Sequence, residues 1–98
     1  MDLAQARTEF LAYVAVERGL SVNTLDAYTR DLEGYLLWLS GKKITLPNQV
    51  TRSDVEEYIG SLRDLGMAPA SVERHTAALR NFHKFMAVEQ ICESSPAE

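Results

Sequence analysis

Between residues 25 and 39 the apolar side chains Leu25, Tyr28, Leu32, Tyr35, Leu36 and Leu39 recur three and four positions apart. That period gives a helix one covered face. Nothing in the chain argues for a sheet, because no segment alternates apolar and polar residues for more than a few positions. Three more segments repeat the helical period, so the sequence predicts an all-α fold, a compact bundle of about four helices joined by short loops.

The ends of these helices can be read from their punctuation. The first is expected from about Leu3 to Arg18, with Asp2 as N-cap and Gly19 just past its end. Its apolar positions are Leu3, Ala6, Phe10, Tyr13, Val14 and Val16. The second begins near Ser21 to Asn23 and runs to about Ser40, closed by Gly41. Leu37 and Trp38 fall outside its stripe, so that end is wedged between other helices or against a partner, and the core is the favoured place for both. "KKITLPNQV" reads as a connecting loop. Thr51 followed by Asp54 forms a near capping box, with aspartate where glutamate is more usual, and opens a third helix that Gly66 ends. Its core positions are Val55, Tyr58, Ile59, Leu62 and Leu65. Pro69 suits the first turn of a fourth helix, which continues to about Val88 and buries Val72, Ala78, Leu79, Phe82, Phe85 and Met86. Residues 1–90 thus read as one helical domain. The acidic, serine-containing tail 91–98 reads as the start of a linker.

Ninety-eight residues at 46% hydrophobic composition suffice for one modest core. No stretch approaches the ~20 apolar residues that span a bilayer. "MDLAQARTEF" has no apolar signal-peptide centre. The single cysteine, Cys92, excludes an internal disulfide and a cysteine-built metal site. The expectation is a cytoplasmic, metal-free protein without a cofactor. The net charge of −4 argues against holding nucleic acid by bulk attraction. The charge is uneven, however: Arg74, Arg80 and Lys84 against Glu73 leave residues 67–88 at +2. Any anion-binding face is local to that segment.

Catalytic patterns are absent. His75 and His83 are separated by roughly two helical turns, or ~12 Å, so they cannot share a metal. No phosphate-cradling glycine loop or nucleophile elbow occurs. "PASVERHTAALRNF" is more informative, because Ser71, Arg74 and His75 fall near the positive end of a helix, with Arg80 beyond them. That suits a helix directed at a phosphate-backed surface. Two readings stay open at this level: contact with nucleic acid, or arginines that are solvated or paired with acids of the second helix, with His75 half-buried. "GLSVNTLDAY" poses a similar question, since Ser21, Asn23 and Thr24 are more polar groups than one cap needs.

Two blocks carry a resemblance. "FLAYVAVERGLSVNTLDAYTRDLEGYLLWL" has an apolar helix, E-R-G-L-S-x-N-T, then A-Y-x-x-D-L. "VTRSDVEEYIGSLRDLGMAPASVERHTAALRNFHKFM" has V-x-x-x-D-V-x-x-Y, a glycine turn, S-x-x-R and A-L-R-x-F. In this order and spacing they resemble the core-binding domain, called SAM-like, of tyrosine recombinases of the Xer and phage-integrase type. The likeness covers residues 8 to 97. It departs before Pro96, where the family usually has asparagine and this chain has Ser95.

The resemblance implies one half of a DNA clamp. A separate C-terminal domain carries the tyrosine nucleophile, so this piece is expected not to cut DNA. It also implies assembly with other recombinase protomers as a tetramer on double-stranded DNA. Helices two and four are expected to line the major groove. Thr24, with Ser21 and Asn23 beside it, would meet a phosphate, while Ala27 and Arg30 approach the groove. Ser71 and His75 would contact the backbone, and Arg74 is the candidate for reading a base edge, since its planar fork matches guanine's two acceptors. Asp26 and Asp31 flank this surface. The competing reading is a free-standing helical protein-interaction module that does not touch DNA. On the first reading, Arg74→Ala and Thr24→Ala weaken DNA binding and leave the melting temperature nearly unchanged.

Overall fold

The first turn of a helix leaves amides without partners, and at three of its four helices this chain supplies side-chain acceptors for some of them. The Asp2 side chain accepts from the Gln5 N–H at 2.8 Å while the Gln5 side chain returns to the Asp2 N–H, starting α1 (Leu3–Val16). Ser21 caps α2 (Val22–Gly41) through the Thr24 N–H. Thr51 and Asp54 form the expected capping box of α3 (Arg52–Asp64). The fourth helix, α4 (Pro69–Val88), starts with Pro69 and has no side-chain cap at Ala68. These elements come from a computed structural model that describes residues 1–93 and 95–97. Among the described residues there is no strand, and a short 3-10 turn, Pro47–Gln49, interrupts the loop before α3.

Helix ends differ from the sequence expectation in an instructive way. Gly66 takes a left-handed φ of +78°. Its N–H bonds to the Arg63 carbonyl and that of Met67 to the Leu62 carbonyl, the paired bonds of a Schellman ending. Gly41, expected to close α2, instead lies within it. Lys43 takes the left-handed position at φ 63°, with the Lys43 and Ile44 N–H groups bonded to the Ser40 and Leu39 carbonyls. Gln90, at φ 60°, ends α4 in the same manner. In all three endings the next residue is apolar and packs on the core: Ile44, Met67 and Ile91. Burial of that side chain selects the stopping point, against the strain of a non-glycine residue in the left-handed region. The first helix stops at Val16, short of the expected Arg18, and Gly19 turns the chain at φ +59°.

The core is a relay of rings and branched side chains from all four helices. Phe10 of α1 lies 5.6 Å from Phe82 and 5.5 Å from Phe85 of α4, and Tyr35 of α2 lies 5.0 Å from Tyr58 of α3. Such tilted pairs add to the apolar burial itself. Trp38 packs on Tyr58 at 5.4 Å, as expected of a core residue. Leu37 does not: it is 73% exposed. Leu65 is likewise exposed, because α3 ends at Asp64 and the chain turns away. Tyr13 and Val16 also lie outside the buried stripe of α1, which is Leu3, Ala6, Phe10 and Val14. Ile91 and Cys92 pack back onto the core, and the Glu93 N–H donates to Asn48 at 3.0 Å. Of the tail read as a linker, Ser94 and Glu98 lie outside the described residues.

Asp54 explains why aspartate serves in the capping box. Its Oδ2 accepts from the Thr51 N–H and hydroxyl, both at 2.9 Å, and its Oδ1 accepts from Lys42 Nζ at 2.8 Å. Lys42 also reaches Glu57 and lies 4.8 Å above the Trp38 ring, so the end of α2 is tied to the start of α3. Burial alone would push the Asp54 carboxyl up, but Lys42 and Thr51 together hold it below its ordinary value.

Candidate nucleic-acid interface

The most extensive helix contact is between α2 and α4, and it brings the two candidate segments together. Asp31 of α2 is 5% exposed and faces α4. A carboxylate so placed requires cationic or N–H partners. Arg74 supplies two: Nε donates to Oδ2 at 2.9 Å and Nη2 to Oδ1 at 3.0 Å. His75 Nε2 lies 3.2 Å from the same Oδ1. The Arg74 side chain remains 45% exposed despite the pair, and hydrogen bonding to Asp31 raises its already high pKa.

At the start of α2 the Ser21 hydroxyl accepts from the Thr24 N–H at 3.2 Å and donates to Thr24 Oγ1 at 3.0 Å. Thr24 Oγ1 is therefore an acceptor inside the chain, and its own hydrogen is left for an outside partner. Ser21, Asn23 and Thr24 are all exposed, as is Arg30, which has no ion-pair partner among the described residues. With 100° per residue, Asn23, Ala27 and Arg30 share one side of α2 in consecutive turns. Ala27 itself is only 9% exposed and forms the floor between its longer neighbours.

On α4 the half-buried Ser71 occupies the uncapped first turn, where open amides and the dipole favour an anion. His75 is turned inward, with one ring nitrogen on Asp31 and Nδ1 buried without a partner. Arg80 is not brought into this group. It lies about 180° around α4 from Ser71 and faces a shallow groove shared with Arg63 and Glu73. Arg74 thus adopts the pairing with an acid of the second helix that composition alone left open.

Asp31 is the residue that sequence reasoning undervalued. It was expected as a surface charge flanking the site, and it is instead the buried anchor of Arg74 and His75. The signal was its position in A-Y-x-x-D-L, at the edge of the apolar stripe between Tyr28 and Tyr35, where an acid must find a partner. The pair also corrects the expectation for Arg74→Ala, since removing the guanidinium strands a buried carboxylate at a cost of about 1–3 kcal/mol. That variant lowers the melting temperature.

An all-α domain with a mixed polar face across its second and fourth helices is the class this geometry defines. The pattern of the family described as "Phage integrase, N-terminal SAM-like domain" matches residues 8–90, and the chain belongs to that family. Among curated relatives, tyrosine recombinase XerD of Oceanobacillus iheyensis is 35% identical over 96 residues, 97% of this chain and 32% of the relative. Tyrosine recombinase XerD of Listeria monocytogenes is 40% identical over 79 residues, 80% of this chain and 27% of the relative. That of Chlorobaculum tepidum is 36% identical over 89 residues, 91% of this chain and 29% of the relative. The chain therefore spans about a third of the length of the relatives it matches. No solved structure gives a significant match. No helix among the described residues is long and apolar enough to cross a membrane.

Proposed function

We propose that this chain is the DNA-binding half of a site-specific tyrosine recombinase, of the Xer or phage-integrase type. It holds one face of a recombination half-site while a separate domain cleaves and rejoins the strands. In this reading the 98 residues perform no strand cleavage, and the parent works in the cytoplasm with other protomers as a tetramer on DNA. The observation that carries the reading is the α2–α4 face within the family match, where a half-exposed Arg74 stands on the same helix pair as the exposed Ser21, Asn23 and Thr24.

The roles divide by chemistry. Thr24, Asn23 and Ser71 meet sugar and phosphate oxygens, and Arg30 adds a cation beside them. Arg74 directs its fork to a base edge. His75 acts through Asp31, and Arg80 lies on the outer side of α4, where it adds charge to the periphery. The inward placement of Asp31 relieves the repulsion that two surface acids on α2 would exert on a phosphate chain. Asp26 remains exposed there and limits the attraction.

The test is binding of a labelled duplex of about 30 bp, three helical turns, by this chain at several salt concentrations. Affinity is expected to fall with salt, by a logarithmic slope of about 0.9 per phosphate neutralised. Thr24→Ala is expected to weaken binding about fivefold through one lost hydrogen bond, with the salt slope and the melting temperature retained. Arg74→Lys keeps a cation for Asp31 but loses the planar fork, and is expected to cost about tenfold on a preferred sequence. Affinity independent of salt, or unchanged in both variants, would contradict the reading.

A further inference from the structure

The geometry of the Asp31–Arg74 pair decides what it leaves available. A guanidinium has five N–H donors in one plane. Asp31 takes the edge formed by Nε and Nη2. Both hydrogens of Nη1 and the outer hydrogen of Nη2 remain, and these form the other edge, the one that spans two acceptors on guanine or two phosphate oxygens. A carboxylate seated on that second edge would mask the arginine. Seated on the first, it fixes the plane of the group and leaves the fork open. An arginine stem otherwise samples many rotamers, and ordering it on DNA costs affinity and blurs the choice of base. His75 adds the third contact on Oδ1, 3.2 Å away, which restrains the carboxylate itself.

We propose that Asp31 is a positioning residue for DNA recognition, which pins Arg74 through its Nε edge so that the opposite edge is presented, already ordered, to a base pair. The proposal rests on the reading above that Arg74 meets a base. Asp31 touches no DNA. It acts by setting the direction of the residue that does, so its loss should reduce discrimination between sequences more than attraction to DNA.

The experiment uses this chain and two probes: a duplex enriched by the wild-type chain from a randomised pool, and a mixed-sequence duplex of equal length. The readout is the ratio of the two affinities. Arg74→Ala is expected to lower the ratio about tenfold. Asp31→Asn is expected to lower it by a similar factor, while affinity for the mixed duplex holds or rises because a negative charge has gone. Asp31→Asn added to Arg74→Ala should lower the ratio no further. A full ratio in Asp31→Asn, alongside a loss in Arg74→Ala, overturns the positioning role and leaves the Arg74 reading standing. A full ratio in Arg74→Ala, or a wild-type chain that enriches no sequence, overturns both.

A second measurement needs no substitution and stands even if Asp31→Asn does not fold. The nitrogen-15 resonance of Arg74 Nε should show a slowly exchanging hydrogen in the isolated chain and keep it in the DNA complex. Loss of that protection on binding would make Asp31 a mask that DNA displaces, and would overturn the proposal.

Discussion

Phe82→Ala is expected to lower the unfolding free energy by about 3–5 kcal/mol. Phe82 is fully buried, with its ring 5.6 Å from Phe10 and 5.6 Å from the His83 ring. It therefore fills the space where α1 meets α4, beside the contacts of Phe10 and Tyr13 with Phe85. Truncation forfeits the transfer energy of the ring and leaves a cavity that helices on two sides cannot collapse into. A domain of this size has about 5–15 kcal/mol of total stability, so one substitution removes a large part of it. Urea unfolding followed by circular dichroism measures the effect as a shift in midpoint at unchanged slope. Leu37→Ala is the matched control. That side chain is exposed and should change stability by no more than about 0.5 kcal/mol. Comparable losses at both positions would mean that the helices pack differently from this description.

Acidification should destabilise the fold in a window that ordinary carboxylates do not cover. His83 is wholly buried, its Nε2 lies 2.8 Å from the Tyr35 hydroxyl, and its Nδ1 has no partner. Burial disfavours the charged ring and pushes its pKa down to about 4, from 6.5 when exposed. The unfolded chain thus binds a proton between pH 6.5 and about 4 that the folded chain does not. Stability is therefore complete above 6.5, falls as the pH is lowered through that window, and levels off below the folded value. The drop amounts to about 3 kcal/mol. Asp54 works lower, because its depressed carboxyl contributes stability that is lost only as the pH falls below its ordinary 3.8. The two groups can thus be separated by pH. His83→Gln places an amide where Nε2 stood and cannot titrate, so the slope across the window should disappear. A slope that survives in His83→Gln would assign the effect to other groups.

The parts of this fold legible in the sequence were those governed by local chemistry. Ser21, Thr51 with Asp54, and Pro69 sit at helix starts because small polar side chains or a missing N–H suit the first turn. Gly66 is left-handed as a glycine after a helix should be. The endings at Lys43 and Gln90 were not legible, because they depend on Ile44 and Ile91 reaching the core, a tertiary condition that overrode the nearer glycine at position 41. Leu37 and Leu65 look like core residues in any list of apolar positions, yet no neighbouring helix covers their sides of α2 and α3. His83 and Asp31 err the other way. Polar residues are expected outside, and only the partners Tyr35 and Arg74, 48 and 43 residues away, make them burial sites. Ser21, Asn23, Thr24 and Arg30 are exposed at the start and along one helix, α2, as their spacing predicted. For Arg74, His75 and Arg80 the sequence carried the residue types and left open a pairing with acids of the second helix; that Asp31 is the acid, and that the turn of α4 sets Arg80 apart, emerged only in three dimensions.

If the α2–α4 face meets duplex DNA, as proposed, its backbone amides will register the contact. The most direct measurement is a titration of the nitrogen-15-labelled chain with a mixed-sequence duplex of about 30 bp at low salt, following every backbone amide. Shifts are expected to concentrate at residues 21–30 and 69–75 and to fade as salt is raised, with the amides of α1 and α3 unmoved. Shifts confined to α1 or α3, or none at low salt, would contradict the proposed contact.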